Sequence, residues 1–524
     1  MKFNLKPGLT IGDGARSFVV EKATNELIHV RTSQENNPLR FIPTAILRDL
    51  VEALRTNQIT IQDISRKYRS DAGLPHLFDE LKLNYDKFAL GYDATFQKLC
   101  EYILENPAEA DLFIESRSSN SVSVPKPFLL LAGISGTGKS RFVREQAKFH
   151  PQNNNFCLVA VRPDWHEPSD LLGYSSRLSG KTEYVATDVL RFLVAAWRDL
   201  LQQGFALEGD GSRTLLTGNS SQLDAAVPFW LCLDEMNLAP VEQYFADYLA
   251  LTETRDWSWD ADDFEYGCDA LLNASALGEL EPEQQEALAR TLQLETEDES
   301  GTDHLLWQHF LEHGIAIPPN LIVAGTVNMD ETTHGFSRKV IDRAMSFDFG
   351  EFFPNDFDDF YAGSISHVPL TFPRHSSGKE AIEKIDTEAS IEFLKAVNSV
   401  LKGSPFELAY RALNELLLAV HCHGTPKPGA DLQAVWDDFL MQKVLPRIEG
   451  DADKLQSNGD HNLLTRLHEV LEVQLIDIWA DDKIRTDFYR LENDQPARTA
   501  CRSRIKLQWM LDRLNSSGFT SFWP

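Results

Sequence analysis

The chain of 524 residues has 50 basic and 79 acidic side chains and a formal net charge of −29. This acidity argues against a protein whose whole surface binds nucleic acid, although it does not exclude a local basic patch that does. No apolar run approaches the length of a membrane span, and the six cysteines form no C-x-x-C pair. We therefore expect a cytoplasmic protein with free thiols and no membrane partner.

Residues 1–120 are predicted to form a small α+β domain. Two strand-like runs, 17–22 and 27–31, flank a short polar turn and indicate a hairpin. Helical patterns follow at 43–55 and 61–69. A Ser-rich stretch at 116–125 is typical of a linker to the next domain.

Local charge suggests a role for this first domain. Residues 1–70 contain 11 Lys or Arg and 7 Asp or Glu, and Arg66, Lys67 and Arg69 are the densest basic point. A recognition module for DNA or a partner protein would explain this patch. A solvated helix face would explain it as well.

The stretch Gly133-Ile-Ser-Gly136-Thr-Gly138-Lys139-Ser140 matches G-x-x-x-x-G-K-[ST], the Walker A pattern. An apolar run precedes it and a helical stretch follows it, which is the context that the motif requires. Backbone N–H groups of such a loop point at phosphate oxygens, and the lysine reaches the β- and γ-phosphates. The predicted nucleotide-binding residues are Gly133, Ile134, Ser135, Gly136, Thr137, Gly138, Lys139 and Ser140.

Strand and helix patterns alternate beyond this loop. Such alternation predicts an α/β fold, with a parallel sheet covered by helices. The predicted strands are 128–132, 156–162, 229–233 and 321–326, and the predicted helices are 140–149 and 188–201.

Asp234 and Glu235 end the third of these strands and resemble a Walker B motif. Ser140 and Asp234 are the predicted Mg²⁺ ligands, and Glu235 is the predicted base for the attacking water. Asn328 ends the fourth strand, where an amide could reach the γ-phosphate, or could cap a turn.

An arginine supplied by a neighbouring subunit can stabilise charge on the γ-phosphate. Arg343 is our first candidate and Arg338 the second, and a structural ion pair is the alternative for either.

Residues 256–303 contain 15 acidic side chains and one basic side chain, Arg290. Apart from a helical pattern near 281–292, this insertion has no clear periodicity and is predicted to be a mobile acidic excursion. From about residue 385 to the end the pattern is mostly helical.

These elements, in this order, resemble the AAA+ ATPases, and more narrowly the McrB-like branch of modification-dependent restriction systems. The likeness covers about residues 126–524. Beyond the Walker motifs it is found in Val161-Arg-Pro-Asp-Trp165, Asp170-Leu-Leu-Gly-Tyr174, Leu233-Asp-Glu-Met-Asn-Leu-Ala239, Ile317-Pro-Pro-Asn-Leu321, Phe336 to Arg343, Ala409-Tyr-Arg411, Gln442-Lys-Val-Leu-Pro-Arg447 and Gly518-Phe-Thr-Ser-Phe-Trp523.

The resemblance implies an AAA+ P-loop domain at 126–365, a C-terminal helical lid at 385–524, and a homo-oligomeric ring, expected to be a hexamer, with nucleotide between subunits. It places Asn328 at sensor 1, Arg343 at the arginine finger and Arg411 near the sensor-2 arginine of the lid. McrB uses GTP and has Asn-x-x-Asp at sensor 1. Here Asn328 and Asp330 are one residue closer, which favours ATP over GTP.

The leading hypothesis is therefore a Mg²⁺-dependent nucleoside triphosphatase in which the ring acts as a motor. It would work with a separately encoded McrC-like nuclease in DNA restriction and antiphage defence, since we find no nuclease motif in this chain. The alternative is a remodelling chaperone of the MoxR kind. A nucleotide-gated scaffold with little hydrolysis is a third class, against which Glu235 and Arg343 argue.

Overall fold

The computed structural model describes four strands within residues 1–120. Beyond them it describes residues 121–149, 154–177, 182–329, 335–354, 365–379, 387–456, 462–493 and 495–523. The chain divides into two compact units, Met1–Asn120 and Ser121–Pro524.

The described part of the first unit is an antiparallel four-stranded sheet. Its strands pair in chain order and are β1 (Thr10–Ile11), β2 (Phe18–Ala23), β3 (Leu27–Thr32) and β4 (Arg40–Pro43). The β2–β3 pair confirms the predicted hairpin. The predicted helices at 43–55 and 61–69, with Arg66, Lys67 and Arg69, lie outside the described residues.

The second unit contains the remaining elements. Its strands are β5 (Val122–Ser123), β6 (Phe128–Gly133), β7 (Phe156–Ala160), β8 (Gly173–Ser176), β9 (Glu183–Ala186), β10 (Ala206–Asp210), β11 (Arg213–Asn219), β12 (Phe229–Asp234), β13 (Asp256–Asp260), β14 (Asp263–Leu272), β15 (Ile315–Ala316), β16 (Leu321–Asn328), β17 (Met345–Asp348), β18 (Ile365–His367), β19 (Leu370–Thr371), β20 (Glu449–Asp451), β21 (Arg485–Glu492), β22 (Gln495–Thr499) and β23 (Phe519–Ser521).

Its helices are α1 (Lys139–Lys148), α2 (Pro168–Leu172), α3 (Asp188–Gln202), α4 (Ser220–Ala225), α5 (Val241–Tyr244), α6 (Ala246–Leu251), α7 (Ala274–Gly278), α8 (Pro282–Thr291), α9 (Thr302–His313), α10 (Arg338–Arg343), α11 (Phe349–Phe352), α12 (Glu388–Leu401), α13 (Tyr410–Cys422), α14 (Ala430–Phe439), α15 (Leu463–Gln474) and α16 (Arg502–Ser517). Short turns add 3-10 geometry at Met236–Leu238 and Leu445–Arg447, and π-helical geometry at Leu440–Val444.

A five-stranded parallel sheet forms the centre of the second unit, in the order β17-β6-β16-β12-β7. Every residue of β6 and β16 is buried. Continuous apolar runs suit strands that helices cover on both faces. The prediction of an α/β fold with a parallel sheet is confirmed, as are its four predicted strands and the helices α1 and α3. The edge strand β17 was not predicted.

The acidic insertion contains more regular structure than the sequence indicated. Its strands β13 and β14 join β10 and β11 in a second, antiparallel sheet of order β10-β11-β14-β13, and β15 pairs with β14. Buried Trp257, Phe264 and Tyr266 alternate with exposed residues along β13 and β14. The expectation that only 281–292 is regular was therefore wrong, since Asp256, Asp260, Asp263 and Glu265 are exposed residues of two strands and further helices follow.

The C-terminal helices belong to the same compact unit as the parallel sheet. A hairpin, β21–β22, interrupts them, and β21 also pairs with β18. Buried ion pairs join Arg485 to Asp437 and Asp438, and Arg502 to Asp438 and Asp487. Part of the predicted linker is also regular, because β5 pairs with β19.

Within the described residues, no helix combines the length and the apolar character that crossing a bilayer requires. Five of the cysteines are described, and they are free thiols: Cys157, Cys232, Cys268, Cys422 and Cys501.

Candidate active site

The predicted phosphate-binding loop lies between β6 and α1. Gly136 and Gly138 have φ angles of +80° and +88°, a region that side chains with a Cβ rarely adopt. Gly138 is also the residue from which α1 begins. The loop thus turns directly into a helix of ten residues, and the N–H groups of the first helical turn face the loop.

Lys139 lies inside this loop, with only 5% of its surface exposed. Its Nζ donates hydrogen bonds to the carbonyl oxygens of Gly133 at 3.0 Å and Ile134 at 2.7 Å. The ammonium is therefore held against the backbone of the first two residues of the loop.

Asp234, at the end of β12, joins the loop to two neighbouring strands. Its Oδ1 accepts a hydrogen bond from Ser140 Oγ at 2.5 Å and another from Thr326 Oγ1 at 2.6 Å. Thr326 Oγ1 in turn accepts the backbone N–H of Glu235 at 3.0 Å. One threonine therefore positions both acidic residues.

Glu235 follows in the left-handed region, with φ 54° and ψ 48°. This conformation is uncommon for a residue with a side chain and is associated with functional sites. Asn328 Nδ2 donates to Glu235 Oε1 at 3.2 Å, and the Asn328 carbonyl accepts from Asn237 Nδ2 at 3.2 Å. The carboxylate and the amide that sequence analysis singled out are in direct contact.

Strand register explains why these residues meet. Asn328 lies opposite Gly133, the first residue of the loop, and Leu233 lies opposite Gly325, so that Asp234 falls beside Thr326. The carboxyl ends of β6, β16 and β12 thus lie side by side, along the edge of the sheet at which its parallel strands terminate. This edge is where ligands bind in open α/β sheets.

The residues present fit a magnesium ion. Ser140 and Asp234 offer a hydroxyl and a carboxylate oxygen that already lie 2.5 Å apart. Mg²⁺ prefers oxygen ligands and commonly takes one or two protein groups together with substrate phosphates. No group of three or more His, Cys, Asp or Glu side chains suited to a metal is found in the described parts of the chain.

The two remaining predicted residues lie elsewhere. Arg343 Nη2 contacts Glu253 Oε1 at 2.6 Å, and Arg411 Nη2 contacts the same oxygen at 2.7 Å. Met345, two residues after Arg343, pairs with Leu129 near the start of β6, while the loop follows the end of that strand. The structure therefore groups Arg411 with Arg343, and separates both from the loop of their own chain.

Arg338, the second arginine candidate, contacts other parts of its own chain. Its Nη1 donates to the carbonyl of Pro405 at 2.8 Å, and its guanidinium lies 5.2 Å from the centre of the Phe406 ring. These contacts attach α10 to the segment before α13. Arg343 also has an ion pair of the kind expected for a structural role, with Glu253.

Sequence reasoning missed Thr326 and Glu253. Thr326 stands two positions before Asn328 on a strand, so both side chains point to the same face. That periodicity was the available signal, but only the register shows that Asp234 lies opposite. Glu253 follows α6 and has no sequence pattern that separates it from other surface acids.

A family model described as a domain of unknown function (DUF8727) matches residues 372–519. The match begins directly after β19 and includes Arg411, but neither the loop nor the acidic pair Asp234 and Glu235. No curated protein matches the chain.

Proposed function

We propose that this protein is a Mg²⁺-dependent nucleoside triphosphatase, with ATP as the favoured substrate and GTP as the alternative. The observation that supports it most is one constellation at the carboxyl edge of the sheet. There Ser140 and Asp234 meet beside the glycine loop, and Glu235 meets Asn328. The first pair would hold the metal ion, and the second would position the base that activates the attacking water.

The roles follow from the chemistry of each group. The loop amides and Lys139 bind the phosphates, and bound Mg²⁺ would neutralise charge on the β- and γ-phosphates. Glu235 accepts the proton of the attacking water, because hydrolysis needs a base in line with the γ-phosphate. Asn328 fixes the direction of the Glu235 carboxylate through its amide hydrogen bond.

We infer further that the working form is a ring of AAA+ type, as the sequence resemblance implies. Arg343 lies at the opposite edge of the sheet from its own loop. A head-to-tail arrangement of identical subunits would bring one chain's arginine edge to the next chain's loop edge and would close as a ring. A hexamer is the expected size.

The biological setting that we propose rests on the likeness to McrB-like proteins. In it, the ring works with a separately encoded McrC-like nuclease in DNA restriction, and the first 120 residues recognise DNA. The parallel sheet and the geometry of the two Walker motifs support nucleotide hydrolysis. A MoxR-like chaperone would have the same features, so they do not distinguish it from a restriction motor.

Two substitutions test the hydrolytic assignment. Glu235→Gln should retain nucleotide binding and lower kcat by about 100-fold or more, because the phosphate site survives and the base is lost. Lys139→Ala should lose nucleotide binding as well. Binding is measured with a fluorescent nucleotide analogue, and turnover by phosphate release.

Glu286→Gln is the matched control, because Glu286 lies on the exposed face of α8 with 68% of its side chain accessible. It should hydrolyse nucleotide at the rate of the unaltered protein. Turnover by Glu235→Gln at that same rate would contradict the assignment.

A further inference from the structure

One carboxylate oxygen holds two arginines of the same chain. Glu253 Oε1 accepts from Arg343 Nη2 at 2.6 Å and from Arg411 Nη2 at 2.7 Å. Arg343 is the last residue of α10, and Arg411 lies in the first turn of α13. We name Arg343, Glu253 and Arg411 the arginine cluster.

The arginine cluster cannot reach the loop of its own chain. Met345 pairs with Leu129, and β6 runs on to Gly133, a length of roughly 13 Å between paired positions at about 3.3 Å per residue. Arg343 lies still further from the loop, two residues before Met345. Because Arg411 shares an oxygen with Arg343, it lies at this same edge.

The arginine cluster faces a cavity of about 380 Å³. Four Lys or Arg side chains line this cavity, including Lys126 and Arg255, against three carboxylates. The formal charge of the lining is therefore positive on a chain whose net charge is −29. Because burial lowers the pKa of Lys126 to about 7, the lasting positive charge of the lining belongs to its three arginines. The Arg343, Glu253 and Arg411 side chains are 22%, 39% and 43% exposed, so an anion from outside could reach them.

A buried clamp fixes the two arginine-bearing helices to each other. Glu415, one turn after Arg411 on α13, pairs with Lys126 and Lys443, each at 2.7 Å. Both lysines also donate to the carbonyl of Asp342, the residue before Arg343, at 2.8 and 2.7 Å. Arg343 and Arg411 are therefore held at a fixed separation.

We propose that the arginine cluster is a phosphate-receiving half-site, and that Arg411 acts together with Arg343 on the nucleotide of a neighbouring copy of this chain. Arg411 thus contacts the nucleotide bound by a neighbouring subunit. The resemblance to a lid arginine implied instead that Arg411 contacts the nucleotide of its own subunit. Glu253 is the positioning residue that keeps both guanidinium groups together. This inference rests on the proposed function.

The chemistry of the arginine cluster suits a terminal phosphate. Guanidinium groups bind phosphate and carboxylate oxygens through the same planar arrays of donors. A γ-phosphate offers three oxygens and more negative charge than one carboxylate. Arg343 Nε, moreover, is buried with no hydrogen-bond acceptor in the described residues. The phosphate can therefore satisfy more donors than Glu253 does.

Mixed rings distinguish the proposed arrangement from an Arg411 that acts within its own chain. Arg411→Ala alone should lower kcat at least tenfold, with nucleotide binding retained. Mixed with Glu235→Gln, it should recover turnover, because some junctions then pair an intact Glu235 with an intact Arg411 from the neighbour. One of four random pairings is intact, so we expect roughly a quarter of the wild-type rate.

A second mixture gives the opposite result. Arg343→Ala and Arg411→Ala should not complement each other, because every junction lacks one of the two arginines. If Arg411 acts within its own chain, the outcomes reverse: the first mixture stays inactive and the second recovers. That reversal would overturn the inference. Arg290→Ala, on the exposed face of α8, is the matched control and should hydrolyse nucleotide normally.

Glu253→Gln adds a readout that a merely structural role would not change. The amide is uncharged and cannot pair with two guanidinium groups, so the arginines should be held less firmly and kcat should fall severalfold while nucleotide binding stays constant. An unchanged kcat would remove Glu253 from the arginine cluster's function. Failure of the proposed function looks different, because the unaltered protein would then show no nucleotide turnover, or Glu235→Gln would hydrolyse nucleotide at the rate of the unaltered protein.

Discussion

At the scale of single residues, we expect the proposed site to depend on Thr326 as much as on the residues of the two predicted Walker motifs. Its hydroxyl donates to Asp234 and accepts the Glu235 backbone N–H. The loop, Asp234, Glu235 and Asn328 could be predicted from the sequence, since their spacing is local or follows an apolar strand. Thr326 and Glu253 could not, because their roles arise from strand register and from a contact between distant segments.

We expect Thr326→Val to lower kcat by about tenfold to a hundredfold while nucleotide affinity changes little. Valine has nearly the same shape but leaves the Glu235 N–H without its acceptor, at a cost of about 1–3 kcal/mol for a buried group. Thr214→Val is the control, since that buried threonine of β11 bonds His309 of α9, within the second unit but outside the proposed site. Wild-type turnover by Thr326→Val would show that the hydroxyl does not position the acids.

At the scale of elements, the sequence of the second unit predicted the strands that are apolar runs and missed the antiparallel strands that mix apolar and charged residues. The runs that became β6, β12 and β16 are almost entirely apolar, whereas β13 and the start of β14 alternate exposed polar residues with aromatic ones. The hairpin β21–β22 contains buried Arg485 and Asp487, whose charges concealed its core positions. Net acidity in a segment thus gives little information about its secondary structure.

The junction between α13 and β21 should weaken in acid. His423 packs its ring 4.4 Å from that of Phe488, and burial, then the nearby Arg485 charge, lower its pKa to about 4. The unfolded chain therefore binds more protons between pH 6.5 and 4, and stability falls as the pH drops through that range. By pH 4 the loss reaches about 3 kcal/mol.

His423→Asn should remove this part of the acid sensitivity, because the variant has no group that titrates there. The measurement is the free energy of unfolding of both proteins from pH 7 to pH 4. The wild type should lose more stability than the variant on acidification. Parallel curves over that range would show that His423 does not titrate as its burial indicates.

At the scale of the whole molecule, the account depends on a site divided between two edges of one sheet. The glycine loop, Asp234 and Glu235 lie at the carboxyl edge, and the arginine cluster lies at the other. The sequence predicted the α/β fold and both sets of residues, apart from Glu253. Their separation could not be predicted, since it follows from the position of α10 before the edge strand β17.

The most direct measurement of this division is turnover by mixed subunits. Arg343→Ala should be nearly inactive, since a trans-acting arginine contributes on the order of 1,000-fold to kcat, and Glu235→Gln should be nearly inactive as well. Mixed in equal amounts, with joint assembly verified by differently tagged subunits, they should recover roughly a quarter of the wild-type rate, because one random junction in four is intact. Mixed rings that form and stay inactive would contradict a nucleotide site shared between subunits.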